Sequence, residues 1–167
     1  MAMKGTPGKR PAGDPARDAA LPLAIRPVRR TDLDPIVAID AAVTGIEKRQ
    51  YWHSVFRRYG AGGDSERQFL VADAGGDVVG FVIGEVRDWE FGSPPCGWVF
   101  AIDVRLDARL DGIGTRLLDA ICAAFRRAGV RKVRTMLSRD NHLILSFFRS
   151  QGMMAGPFIP LEMDLLH

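Results

Sequence analysis

The 167-residue chain has only two cysteines and three histidines, and none of them stands in metal-ligand spacing with another. Cys96 falls in a loop and Cys122 on an apolar helix face, so the sequence predicts two reduced thiols in a cytoplasmic protein, with no metal and no disulfide. His53, His142 and His167 are scattered in the same way. No apolar run approaches the length that crosses a bilayer, and no membrane association is expected. The stretch Met1 to Leu23 carries Lys4, Lys9, Arg10 and Arg17, but no apolar core follows them, which excludes a secretory signal. Charge of one sign is also scarce: the net value is +3. Up to Pro22 there are four basic residues against two acidic ones (Asp14, Asp18), so this stretch holds +2 of that +3. The remainder is nearly neutral and carries no RNA- or DNA-binding motif, so no nucleic-acid partner is expected.

What is present suits one compact α/β domain. Apolar residues make up 47% and charged residues 26% of the chain, ordinary values for a globular protein of this size. Residues 1–22, with Pro7, Gly8, Pro11, Gly13 and Pro15, are expected to be a disordered leader, and 23–167 the folded domain. Leu23 to Val28 reads as a strand. Thr31 or Asp32 can cap a helix over Leu33 to Val43, and Glu47 to Tyr59 is a second helix with Tyr51, Val55 and Tyr59 on one side. Gln68 to Ala74 and Val78 to Val86 form a hairpin around Gly75-Gly76-Asp77. Trp98 to Val104 is a strand, Gly112 to Ala128 an amphipathic helix ending at Gly129, and Val130 to Ser138 a strand. Asn141 to Ser150 is a short helix, and Leu161 to Leu166 a closing strand. The order βααβββαβαβ predicts a mixed, mostly antiparallel sheet flanked by helices, with a right-handed crossover from the Trp98 strand to the Val130 strand.

Chemistry concentrates in one segment. Ile102-Asp103-Val104 ends a strand, and Arg109-Leu110-Asp111-Gly112-Ile113-Gly114-Thr115 turns into a helix. Glycines at a helix start let backbone N–H groups approach an anion, the helix dipole adds favourable potential, and Arg109, with Arg105 or Arg116 nearby, can add charge-assisted bonds. A pyrophosphate suits such a site. A nucleotide P-loop requires Lys-Ser/Thr after its last glycine, and Thr115-Arg116 stands there instead. The dinucleotide fingerprint requires a third glycine where Leu117 stands, and an acidic end to the next strand, which Val130 to Ser138 lacks. Both nucleotide readings fail.

Arg109, Gly112 and Gly114 after a strand ending in valine resemble the Arg/Gln-x-x-Gly-x-Gly/Ala acetyl-CoA motif of the GCN5-related N-acetyltransferase (GNAT) family. Asn141, the aromatic Phe148 seven residues later and Gly152-Met153 stand where that family opens and closes a short helix. Ile25-Arg26-Pro27 with Asp32-Leu33 looks like its start. The resemblance covers about Leu23 to Leu166. It implies the GNAT fold, acetyl-CoA as cosubstrate, and acyl transfer to an amine of a small molecule or protein by direct attack in a ternary complex. It further implies that Ile102, Asp103 and Val104 face the pantetheine arm, and that Leu110, Asp111, Gly112, Ile113, Gly114 and Thr115 cradle the pyrophosphate. Asn141 and Phe148 complete the cofactor side.

The chain departs from the family at two catalytic positions. Phe148 replaces the tyrosine that many members use to protonate the leaving thiolate, and Met136 stands where some carry a glutamate base. Asp103, Glu85 and His53 are the remaining polar candidates for the base, with Asp103 beside the expected thioester. Leu110-Asp111 is a third departure, because relatives often carry basic or small residues there. The acceptor side is expected in Gly45 to Tyr59 and Asp88 to Pro95, whose Glu47, Tyr51, Trp52, Asp88, Trp89, Glu90 and Phe91 suit a cationic amine. A domain that binds acyl-CoA without catalysis is the alternative, and a homodimer is compatible with the family.

Overall fold

The computed structural model describes residues 22–62, 64–109 and 111–165. The 1–22 leader apart from Pro22, Gly63, Leu110, Leu166 and His167 therefore lie outside the described residues. Five strands form a single sheet in the order β1-β2-β3-β4-β5. They are β1 (Leu23–Pro27), β2 (Arg67–Ala74), β3 (Asp77–Arg87), β4 (Cys96–Val104) and β5 (Val133–Arg134). The first three pairings are antiparallel, and β4 with β5 is parallel. The hairpin closes as expected, with Ala74 opposite Asp77 across Gly75-Gly76.

Helices cover both faces. On one lie α1 (Leu33–Thr44) and α2 (Arg49–Tyr59), and on the other α3 (Ile113–Arg127) and α4 (His142–Ser150). The period-two alternation of the strands divides the core accordingly. Phe69, Val71, Phe81 and Ile83 pack with Ile36, Val37, Trp52 and Val55, while Leu70, Ala72, Val82 and Val99 pack with Leu117, Ile121, Phe125 and Phe148. On α2 the buried residues are Trp52 and Val55, while Tyr51 is exposed. The inward stripe thus starts one residue later than the spacing predicts, because the larger indole takes the core position beside Phe81, at a ring separation of 5.0 Å.

Local chemistry explains the ends of the elements. Arg26 bridges β1 to Asp32 through Nη1 at 2.7 Å and to Asp73 through Nε at 2.8 Å. The Asp32 carboxylate also accepts the Arg29 N–H at 2.6 Å, so it fastens the loop before α1 rather than capping α1 itself. Helix α4 closes in a Schellman arrangement: Met153 N–H donates to Phe148 O at 3.0 Å and Gly152 N–H to Arg149 O at 3.0 Å. Gly152 there has φ 84°, a conformation that favours glycine.

Two expected strands differ from the structure. The span from Val130 to Ser138 keeps strand geometry only at Val133–Arg134, because β4 offers pairing to just those two residues. The closing strand from Leu161 is irregular and exposed through Leu165. Its alternation suits a strand, but a strand forms only against a neighbour, and β5 presents almost no ladder. The Arg134 guanidinium instead sits 4.2 Å from the centroid of the Phe158 ring. Among the described residues no helix is long and apolar enough to cross a membrane.

Candidate active site

The short ladder of β5 creates the main cleft. β4 pairs with β5 only at Gly97↔Val133 and Trp98↔Arg134; beyond them Val99 and Ala101 to Val104 are paired on the β3 side alone. Ile83 opposes Ala101 and Gly84 opposes Val99, so Phe100 is an extra residue bulged out of the ladder. A bulge sharpens local twist and bends its strand away from a neighbour. The two parallel strands therefore part, and a cleft of about 790 Å³ opens between Val99–Val104 on one wall and Thr135–Ser138 with α4 on the other.

At the far end of β4 the cleft meets the start of α3. Gly112 lies at φ 69° as the residue before the helix, and a Cβ added there would meet nothing within 4 Å. The left-handed backbone leaves open space beside the first turn, where Gly112, Gly114 and Thr115 line the cleft. The first-turn amides have no acceptor within the helix. Gly114 serves another purpose: its Cβ would come within 3.1 Å of the Phe147 ring, so it lets α4 approach α3. Arg109 Nε donates to Val104 O at 3.2 Å, which fixes the guanidinium at the strand end.

Of the residues singled out in sequence, Ile102, Asp103, Val104, Arg109, Gly112, Gly114, Thr115, Asn141 and Phe148 all line this one cleft. Leu110 lies outside the described residues. Asp111 is exposed and Ile113 is buried in the core, so only their backbone belongs to the turn. Asp111 is not among the residues that line the cleft. Arg105 and Arg116 are engaged elsewhere, Arg105 with Asp77 at 2.6 Å and Asp107 at 2.7 Å, Arg116 with Leu23 O at 2.7 Å. The Asn141 side chain accepts the Ile144 N–H at 3.2 Å and so caps α4.

The other end of the cleft lies under α1 and α2. Asp103 shares its sheet face with Ala101, which packs against the α1/α2 core. Burial, and then the nearby charge of Asp40, raise its carboxyl from 3.8 to about 6, against the opposing pull of Arg109 and Lys48. Asp40, which sequence reading passed over as one more helical residue, is buried there. It accepts the Trp52 indole N–H at 2.9 Å and the Lys48 ammonium at 3.1 Å. A polar residue at a buried helix position was the available signal. Of the other proposed bases, Glu85 accepts the Tyr59 hydroxyl at 2.9 Å and His53 is exposed; neither lines the cleft. None of Asp88 to Pro95 lines it either, and Trp89 and Phe91 point to solvent.

The fold is that of an acyltransferase. The model of the acetyltransferase (GNAT) family matches residues 35–153, and the chain belongs to that family. No curated protein matches the sequence significantly. Solved structures are similar in fold at low identity. The aminoglycoside N-acetyltransferase AAC(6')-Iy in complex with CoA superposes with a TM-score of 0.76 at 16% identity, over 89% of this chain and 99% of that one. A transcriptional regulator from Bacillus halodurans C-125 gives 0.71 at 20% identity, over 86% and 99%. Ard1 from Thermoplasma volcanium gives 0.64 at 22% identity, over 78% and 81%. Relatives so differently named share the scaffold, so the acceptor must be argued from this chain's own residues.

Proposed function

We propose that the chain transfers an acetyl group from acetyl-CoA to an amine, with both substrates bound in the cleft at once. The observation that carries the reading is the parting of β4 from β5 directly beside the glycine-led start of α3. An unpaired strand edge can bond the amides of a pantetheine arm as a neighbouring strand would. The amides of the α3 turn, with Arg109, suit the pyrophosphate at its end. The fit rests on Gly112, where the space a side chain would fill stands open. Acetyl-CoA supplies a thioester, which is already activated towards an amine.

The residues then have separable roles. Asp103 takes a proton from the incoming ammonium; with its carboxyl near 6 it is mostly ionised at neutral pH and so free to accept one. The freed amine attacks the thioester carbon, a C–N bond forms, and the oxyanion is stabilised by main-chain N–H groups along the bulged part of β4. The C–S bond breaks and the thiolate departs. Phe148 has no proton to give it, but a thiol of pKa about 8.5 leaves tolerably near neutrality. Two protons leave the ammonium in all: the one held on Asp103 passes to the thiolate, and the one that the nitrogen sheds as the amide forms passes to water.

The acceptor favoured by Asp40, Asp103 and Tyr51 is a small cationic amine, and several of the similar structures are named as aminoglycoside N-acetyltransferases. The test is acetyl-CoA-dependent thiol release with a panel of amines, followed with a thiol reagent. Binding of CoA by calorimetry with no turnover on any amine would instead favour an acyl-CoA-binding module, the reading that Phe148 supports.

A further inference from the structure

Between α1 and α2, one side chain makes the contacts that a cationic acceptor would make. Lys48 is the residue just before α2. Its ammonium lies 3.1 Å from the Asp40 carboxylate and 5.5 Å from the centroid of the Tyr51 ring. The same carboxylate also accepts the Trp52 indole N–H at 2.9 Å. All four residues line the cleft that also holds Asp103 and the open edge of β4. A carboxylate and an aromatic face around one ammonium is a common way of recognising alkylammonium groups. The Lys48 side chain is about one-third exposed, 35% against 7% for Asp40. Its stem is therefore free to swing outwards while the carboxylate stays where it is. Tyr51 is likewise exposed, so the ring can receive a ligand from solvent.

The cleft thus contains two carboxylates under α1 and α2, of which Lys48 neutralises one. Asp103 faces the reacting region beside β4, and Asp40 lies behind it. We infer that Lys48 is an intramolecular stand-in for the acceptor, occupying a second ammonium subsite made by Asp40 and Tyr51. The preferred acceptor then carries two amines, one acylated beside Asp103 and one that displaces Lys48 from Asp40. This rests on the acyl-transfer reading and adds the class of acceptor to it. A site blocked by its own lysine has its affinity reduced to the fraction of time it stands open. The competing account is that Lys48 only neutralises a buried carboxylate, in which case its removal destabilises the fold and improves nothing.

A matched pair of acceptors separates the two: putrescine, a diamine, and butylamine, its monoamine counterpart, with saturating acetyl-CoA. For Lys48→Met the ratio of kcat/KM for putrescine over butylamine should rise about tenfold, with the gain in KM, as a subsite occupied nine-tenths of the time predicts. Lys48→Arg keeps a cation on Asp40 and should hold the ratio near the wild-type value. An unchanged or lower ratio in Lys48→Met overturns the inference while leaving acyl transfer standing. If the wild type releases no thiol with any amine, acyl transfer fails, and calorimetry of putrescine in the presence of CoA becomes the readout. About tenfold tighter binding to Lys48→Met than to wild type then supports the subsite, and equal or absent binding overturns it.

Discussion

At its α3 end the cleft is walled by main chain, whereas under α1 and α2 it is walled by side chains. The α3 end depends on the β4 bulge at Phe100, the edge of β4 and the left-handed Gly112, with Arg109 as its one charged lining residue. The other end depends on Asp40, Lys48, Tyr51, Trp52 and Asp103. Main-chain N–H groups are present whatever the side chains are, so an end made of them can hold a ligand with few side-chain requirements and leaves a spacing of glycines as its trace. Side chains differ freely, so an end made of them can change its ligand within one fold. The prediction is that damage to the first end abolishes binding of the common substrate, and damage to the second changes rate, pH dependence or acceptor.

The largest effect should come from Gly112→Asp. A new carboxylate about 4 Å from a bound phosphate opposes it by roughly 4 kcal/mol at an effective dielectric of 20, which is about a thousandfold in affinity. The left-handed backbone adds about 1–2 kcal/mol of folding strain, a fall in Tm of roughly 2–8 °C for a domain of this size. Calorimetry with CoA and a melting curve measure the two effects separately. Unaltered CoA affinity would remove the phosphate from the α3 turn and dissolve the contrast between the ends.

Next comes Asp103→Asn, expected to lower turnover about a hundredfold, the lower range for loss of a general base, with CoA affinity little altered. In the wild type kcat/KM should fall as pH drops through about 6, and the variant should lack that limb. Stability carries a second signature. The folded carboxyl sits above its ordinary 3.8, so between about 4 and 6 the folded state binds more protons than the unfolded one. Asp103 therefore lowers stability progressively as pH rises through that window. The Tm gain of Asp103→Asn over wild type should consequently be larger at pH 8 than at pH 4. Equal gains at both pH values would mean that the carboxyl is not buried as described.

Asp40→Ala tests the α1/α2 end through stability. It strips the buried Trp52 N–H and the Lys48 ammonium of their acceptor, which should cost about 1–3 kcal/mol, read from chemical denaturation. CoA affinity should stay within about twofold if the two ends are independent.

Legibility in the sequence follows the same division. The amphipathic stripe of α3, the hairpin at Gly75-Gly76 and the glycine-led turn could all be read, because each is dictated by local period or by a backbone requirement. The length of β5 could not, since Val130 to Ser138 has strand character throughout and only the bulge in β4 decides where pairing stops. The closing strand misled for the same reason: alternation describes a strand's faces and says nothing of its neighbour. Asp40 is legible only as a polar residue at a buried helix position, and it becomes a site residue once the sheet sets Asp103 nearby. Asp88 to Pro95 looked like an acceptor loop by composition, but position in three dimensions, not composition, decides what lines a cleft.

Phe148→Tyr gives the smallest effect and tests where the two ends meet. Phe148 is 4% exposed, packs edge-on against Phe147 at 5.2 Å, and yet belongs to the cleft lining. A hydroxyl added to its ring has two destinations. If it reaches the cleft, it can donate a proton to the departing thiolate, and turnover should rise by up to about tenfold, a modest gain because a thiol of pKa about 8.5 already leaves near neutrality. If it stays in the core, an unpaired hydroxyl should cost about 1–3 kcal/mol of stability with no gain in rate. The cleft position favours the first outcome, higher kcat at neutral pH. A fall in Tm without any rise in kcat would show that the proton comes from elsewhere, leaving Asp103, which has just taken one from the amine, as the group in the cleft able to return it.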